Sequence, residues 1–106
     1  IVINRKKLKD KVKEQTMGNY SFKTITMEIS VRNTKNTAVD LNLEDQIPVS
    51  GDKDIKITFN DENFSGTYNE NTGMLNWKLK LKPKESKVLS FTYTIKYDSS
   101  KSLLLK

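Results

Sequence analysis

An all-β fold of two stacked antiparallel sheets, with six to seven strands, is predicted from this sequence by three observations. Apolar residues recur at every second position in several runs. Those runs are separated by polar turn residues, and none of them places apolar residues at the three- and four-residue spacing of a helix face.

The strongest run starts at Leu75, where Leu75, Trp77, Leu79 and Leu81 alternate with Asn76, Lys78 and Lys80. After Lys82-Pro83-Lys84-Glu85, a second run sets Leu89, Phe91, Tyr93, Ile95 and Tyr97 against Ser90, Thr92, Thr94 and Lys96. Pro83 suits the second position of a tight turn because its ring presets φ. Together the two runs predict a hairpin.

Upstream, Ile25, Met27, Ile29 and Val31 alternate with Thr26, Glu28 and Ser30. Tyr20 and Phe22 have the opposite phase, so either a bulge near Lys23-Thr24 shifts the register or these rings cover the other face. A turn through Asn33-Thr34-Lys35-Asn36 is expected next, since asparagine tolerates left-handed backbone angles. Val39, Leu41 and Leu43 form another row, as do Ile55, Ile57 and Phe59; Phe64 to Tyr68 is a short, weaker strand. Asn71-Thr72-Gly73 reads as a hairpin loop with Gly73 in the left-handed position. In the opening segment Leu8 and Val12 stand four apart, as on a helix, but two residues make too narrow an apolar stripe to anchor one. The surrounding lysines suit an edge strand, where they block edge-to-edge pairing.

A sheet with one wet face cannot hide its apolar face alone, so two must stack about 10 Å apart. Immunoglobulin- or fibronectin-like sandwiches are the commonest solution at this size. Residues 1–106 suffice for one such domain, with Trp77 at the centre of its core and its indole N–H in need of an acceptor. The chain opens on Ile1 and not methionine, which leads us to expect a processed product or the C-terminal fragment of a longer protein. No apolar run approaches the ~20 residues of a membrane helix. The nearest is Leu103-Leu104-Leu105, and no membrane insertion is expected.

Composition removes several chemistries. Without histidine and cysteine, the commonest general base, thiol catalysis and the usual structural zinc sites are all lacking. Gly18, Gly51, Gly66 and Gly73 are isolated and form no phosphate-cradling loop. A serine–lysine dyad around Ser86, Lys87 and Ser90 rests on residue types alone. Glu44 and Asp45, Asp52 and Asp54, and Asp61 and Glu62 fall at turns or strand ends. Paired carboxylates there could serve a hydrolase, or with Asn60 and Asn63 a calcium ion, but they lack the spacing of a calcium loop. Solvated turn carboxylates are the expectation, with no metal, cofactor or catalytic residue.

The net charge of +6 is uneven: residues 1–15 carry +4 and residues 76–106 carry +6, while residues 16–75 carry −4. Nucleic acid is the natural partner to test for a basic domain, yet Trp77, Phe91 and Tyr93 lie on the phase opposite the lysines. Lys78, Lys80, Lys82 and Lys84 form a ladder without a ring among them. No nucleic-acid binding is expected.

Several stretches in order carry a resemblance: Glu28-Ile29-Ser30-Val31-Arg32-Asn33-Thr34-Lys35, then Leu43-Glu44-Asp45-Gln46-Ile47-Pro48-Val49-Ser50, Gly73-Met74-Leu75-Asn76-Trp77, Leu79-Lys80-Leu81-Lys82-Pro83-Lys84-Glu85 and Phe91-Thr92-Tyr93-Thr94-Ile95. This combination resembles the C-terminal domain, of unknown function, of mucoidy inhibitor A-type bacterial proteins. The first fifteen and last five residues match it poorly. The resemblance implies an exported parent with a β-rich N-terminal domain, a helical coiled-coil middle and this sandwich last, resident in the cell envelope, periplasmic or exported. The family name implies an influence on exopolysaccharide production; it supplies no catalytic or ligand residue. The matching positions have structural roles: Pro48 forces Ile47 into an extended backbone at a strand exit, while Gly73, Trp77 and Pro83 set a turn, the core and the next turn.

The leading expectation is therefore a non-enzymatic structural or protein-interaction module. It would dock an envelope protein or another domain of its parent through a strand edge or loop tips. The alternative is a carbohydrate- or anionic-polymer-binding module using the lysine-rich termini.

Overall fold

The computed structural model describes residues 1–59 and 61–99, apart from the side chain of Asp10; residues 103–105 and Asn60 lie outside that set. The alternating runs become strands: β1 (Val2–Lys7), β2 (Lys13–Met17), β3 (Tyr20–Arg32), β4 (Val39–Gln46), β5 (Ile55–Phe59), β6 (Thr67–Asn69), β7 (Met74–Leu81) and β8 (Ser86–Asp98). They form two antiparallel sheets. The larger has the order β1-β3-β8-β5, with β2 also on β3, and the smaller the order β4-β7-β6. The two-sheet all-β architecture is as expected.

The number of strands exceeds the expected six to seven because the lysine-rich edge strand is broken in two. β1 pairs with Met27–Arg32 and β2 with Tyr20–Thr24 of the same neighbour. A 3₁₀ turn at Lys9–Lys11 separates them, entered through the Leu8 N–H bond to the Thr26 carbonyl. A two-residue turn then reverses β2 into β3, with Gly18 at φ 61°, a conformation glycine adopts without steric penalty.

Inward residues of both sheets close over one core. Ile25, Ile29 and Val31 of β3, Phe91 and Ile95 of β8, and Leu75, Trp77 and Leu81 of β7 are almost fully buried. Each such large apolar side chain contributes about 1.5–3 kcal/mol over leaving it exposed. Trp77 lies at the centre, 5.2 Å from the Phe64 ring and 6.0 Å from that of Phe91. Its Nε1–H, however, meets no acceptor among the described residues, contrary to the expectation that burial would bring one.

Three local expectations are corrected. First, β7 and β8 do not form a hairpin: β7 belongs to the small sheet and β8 to the large one. Pro83 does occupy the second position of the turn, which the Glu85 N–H closes onto the Lys82 carbonyl at 3.0 Å. Lys84 follows at φ 62°, the left-handed third position of a type II turn. Turns of that hand splay adjoining strands, whereas hairpins use the mirror-image turns, so the chain crosses between sheets here. Second, neither Asn33 nor Asn36 has positive φ; Asn33 acts through its buried side chain. Third, the weak strand is shifted to Thr67–Asn69. Gly66 precedes it, where a Cβ would come within 3.0 Å of Trp77 Cδ1 and closer still to the Asn76 carbonyl oxygen.

Gly73 behaves as expected, at φ 76°, in the loop between the paired residues Asn69 and Met74. Its carbonyl accepts the Ile47 N–H at 2.9 Å, and a Cβ at this glycine would collide with the Ile47 carbonyl oxygen. Pro48 follows at the exit of β4, where the chain leaves the small sheet for the large one.

The connectivity is its own. An immunoglobulin constant domain lettered in chain order has the sheets A-B-E-D and C-F-G. With β1 and β2 as the two halves of A, the present order is A-B-G-D and C-F-E. The last strand, not the fifth, therefore sits beside β3 inside the larger sheet.

Candidate functional site

Several of the residues that carry chemistry by type are engaged in structural bonds. Asp61 Oδ2 accepts the Thr92 N–H at 3.1 Å and its Oδ1 accepts the Asn63 N–H, securing the loop after β5 to β8. Asp52 Oδ1 accepts the Asp54 N–H at 2.9 Å, and Glu44 Oε1 accepts an Asn76 amide hydrogen at 3.3 Å. The described residues contain no group of three acidic side chains placed to hold a metal ion. Ser86 and Ser90 share one face of β8, whereas Lys87 faces the other way and its Nζ donates to the Lys80 carbonyl. The dyad is thus separated by the pleat. Lys78, Lys80, Lys82 and Lys84 are exposed, as expected of a wet ladder.

The structure brings other residues together along β1. Register places Ile3, Arg5 and Lys7 on the core side of the large sheet and Val2, Asn4 and Lys6 on its outer side. Arg5 therefore points towards the gap between sheets. Its Nε bonds Asp45 Oδ2 of β4 at 2.7 Å, tying the two sheet edges together. Tyr93 lies behind this pair. Burial pushes its phenol above the ordinary value; the Arg5 guanidinium opposes that and the Asp45 carboxylate adds to it. A groove lined by Arg5, Gln46, Pro48, Val49 and Tyr93 opens beside the pair.

A second groove lies on the outer side of the same strand, between Val2, Asn4, Ser30 and Val88. The strip is apolar where the protein meets solvent: Ile1, Val2 and Ile3 are 40–49% exposed and Val88 is 64% exposed. β1 is also an edge, with no strand on its far side among the described residues. Unpaired backbone groups, an apolar surface and a groove on either side form the setting in which an extended segment can add as a further strand. The sequence marked this segment as an edge strand, but its exposed apolar end emerges only from the sheet order.

The expected structural residues surround this region unequally. Gly73 and Pro48 support the loop at the inner groove, Trp77 fills the core behind it, and Pro83 lies at the crossing between sheets. No helix among the described residues is long and apolar enough to cross a membrane.

No curated protein and no solved structure matches the chain. A family model described as Domain of unknown function (DUF4139) matches residues 1–99, including the opening segment that the motif resemblance left out. The chain belongs to that family.

Proposed function

We propose that this domain is a non-enzymatic interaction module that receives an extended segment of a protein partner, or of another domain of its parent chain, along the β1 edge. The carrying observation is the exposed Ile1–Val2–Ile3 strip on an edge strand whose far side is open among the described residues and which is flanked by two grooves. In strand addition the backbone supplies affinity, while alternate side chains enter pockets on the two faces and supply selectivity. Here those positions are the Val2–Val88 groove and the groove beside Arg5 and Val49.

The motif combination discussed above supports a finer placement. The domain is the C-terminal sandwich of a mucoidy inhibitor A-type protein, exported to the cell envelope and working in the periplasm. Its engaged carboxylates and separated serine–lysine residues favour a binding role over a catalytic one.

Amide hydrogen exchange, compared between the isolated chain and the full-length parent, tests the edge. Alternate amides of Val2–Lys7 should gain protection in the parent or on addition of its partner. Ile3→Lys, which charges the strip while leaving the buried core intact, should abolish that gain. Partner binding with unchanged exchange along β1 would refute strand addition.

A further inference from the structure

The outer face of the large sheet, away from β1, carries a second arrangement. Pairing between β3 and β8 runs unbroken from Tyr20 to Arg32, so no bulge rephases the aromatic residues. Tyr20 and Phe22 therefore lie on the face opposite the core. The Lys96 ammonium stands 4.3 Å from the centre of the Tyr20 ring and 5.9 Å from that of Phe22. Tyr20 remains 47% exposed. Directly across from Lys96 on β5 is Lys56, a like-charge pair in register. Such pairs destabilise a sheet. The small sheet treats its lysines differently, setting Lys80 against Asp40 and Lys78 against Asn42.

One row further along, the Thr24 and Thr94 hydroxyls bond each other at 3.2 Å, and Thr26 and Thr92 do so at 3.0 Å in the next. Each bonded pair keeps one hydrogen to donate and spare lone pairs to accept. Among the described strand residues, the carboxylates on this face are Glu28, which pairs with Lys6, and Asp98 at the end of β8. Asp54 stands two residues before Lys56, just ahead of β5, and both aspartates are engaged in interactions of their own. The surface thus combines an exposed ring, two ammonium-bearing residues paired in register and rows of hydroxyls on one sheet face.

We propose that this face binds an acidic glycan, with a carboxylate between Lys56 and Lys96, a sugar C–H face on Tyr20 and sugar hydroxyls on the threonine rows. A carboxylate at that point removes the repulsion between the lysines, and the hydroxyl rows match a polyhydroxylated chain. Single-stranded nucleic acid fits less well, because it asks for successive stacking platforms in a groove. Here Tyr20 offers one exposed ring and its neighbour Phe22 is half-buried, so no succession of platforms is present. The site is separate from the β1 edge and does not depend on strand addition there.

The test is titration of the 106-residue chain with hexagalacturonate, its carboxyl-reduced neutral counterpart, oligothymidylate and polyglutamate at low salt. Hexagalacturonate should bind at least about tenfold more tightly than the others, a ratio equal to one charge-assisted hydrogen bond. The double variant K56Q/K96Q should lose about tenfold while keeping or raising the melting temperature, and Tyr20→Ala should lose about fivefold. K78Q/K80Q, which removes the same charge from the other sheet, should stay within about twofold because its lysines are remote and exposed. The proposal is overturned by no binding, by equal binding of the other polyanions, or by equal losses in the two lysine double variants. Selective binding that K56Q/K96Q leaves unchanged also overturns it.

Discussion

Two buried polar groups in this domain are treated in opposite ways. Asn33, at the end of β3, is fully buried and richly bonded: its Nδ2 donates to the carbonyls of Thr37 at 2.9 Å, Lys82 at 3.1 Å and Leu81 at 3.4 Å. Its Oδ1 accepts the Lys35 N–H, and its own N–H reaches the Glu85 carbonyl. Trp77, in the middle of the core, has an indole N–H without an acceptor among the described residues. At the sandwich end a polar side chain specifies how one sheet meets the turn leaving the other. In the centre, volume and ring contacts matter more than the hydrogen bond forgone.

That contrast can be broken at each point. Trp77→Ala should destabilise the domain by about 3–5 kcal/mol in chemical denaturation, near the whole stability of a small domain. A loss below about 1 kcal/mol would show that Trp77 does not anchor the core. Asn33→Ala should cost about 2–3 kcal/mol, because it strands buried backbone groups at both ends of the crossing. Denaturation should detect it at nearly full scale even though little apolar area is lost. Trp77→Phe should cost less than about 1.5 kcal/mol, since it keeps an aromatic ring and removes the unpaired N–H. If it costs as much as alanine, the indole shape itself is indispensable. Lys84→Gly should stabilise by about 0.5–1 kcal/mol, measured as a raised denaturation midpoint, because a non-glycine residue holds φ 62° in the turn bound by Asn33. The Lys84 side chain also donates to the Thr34 carbonyl, so a gain smaller than this range would measure that bond.

The alternating rows from Ile25 to Val31, Leu75 to Leu81 and Leu89 to Tyr97 identify three core strands because period two maps directly onto a half-buried sheet. Pairing partners are less legible, since the period says which face a residue takes and nothing about its neighbour. Leu81 and Leu89 flank a proline turn whether their strands pair side by side or face each other across a core. The turn chemistry did contain the answer: proline in the second position belongs to turns that splay strands. Met17-Gly18-Asn19-Tyr20 likewise carries a hairpin signal, a Gly-Asn pair between strands. The site was legible only in pieces. Tyr20 and Phe22 stood out by phase, but their face depended on whether a bulge intervened. Lys56 and Lys96, forty positions apart, become neighbours only through the register of β5 on β8.

The position of β8 has a consequence for how the protein is made. β3 and β5 share no direct pairing, and both wait for the same final strand to lie between them. At about 5–20 residues per second, a ribosome needs several seconds to extend the chain from β5 to the end of β8. During that interval two amphipathic strands have open edges and no common partner. The large sheet consequently assembles only after nearly the whole domain has emerged, and its folding depends on distant contacts that close slowly. A chain built this way keeps the facing edges of β3 and β5 open until the strand that joins them has emerged.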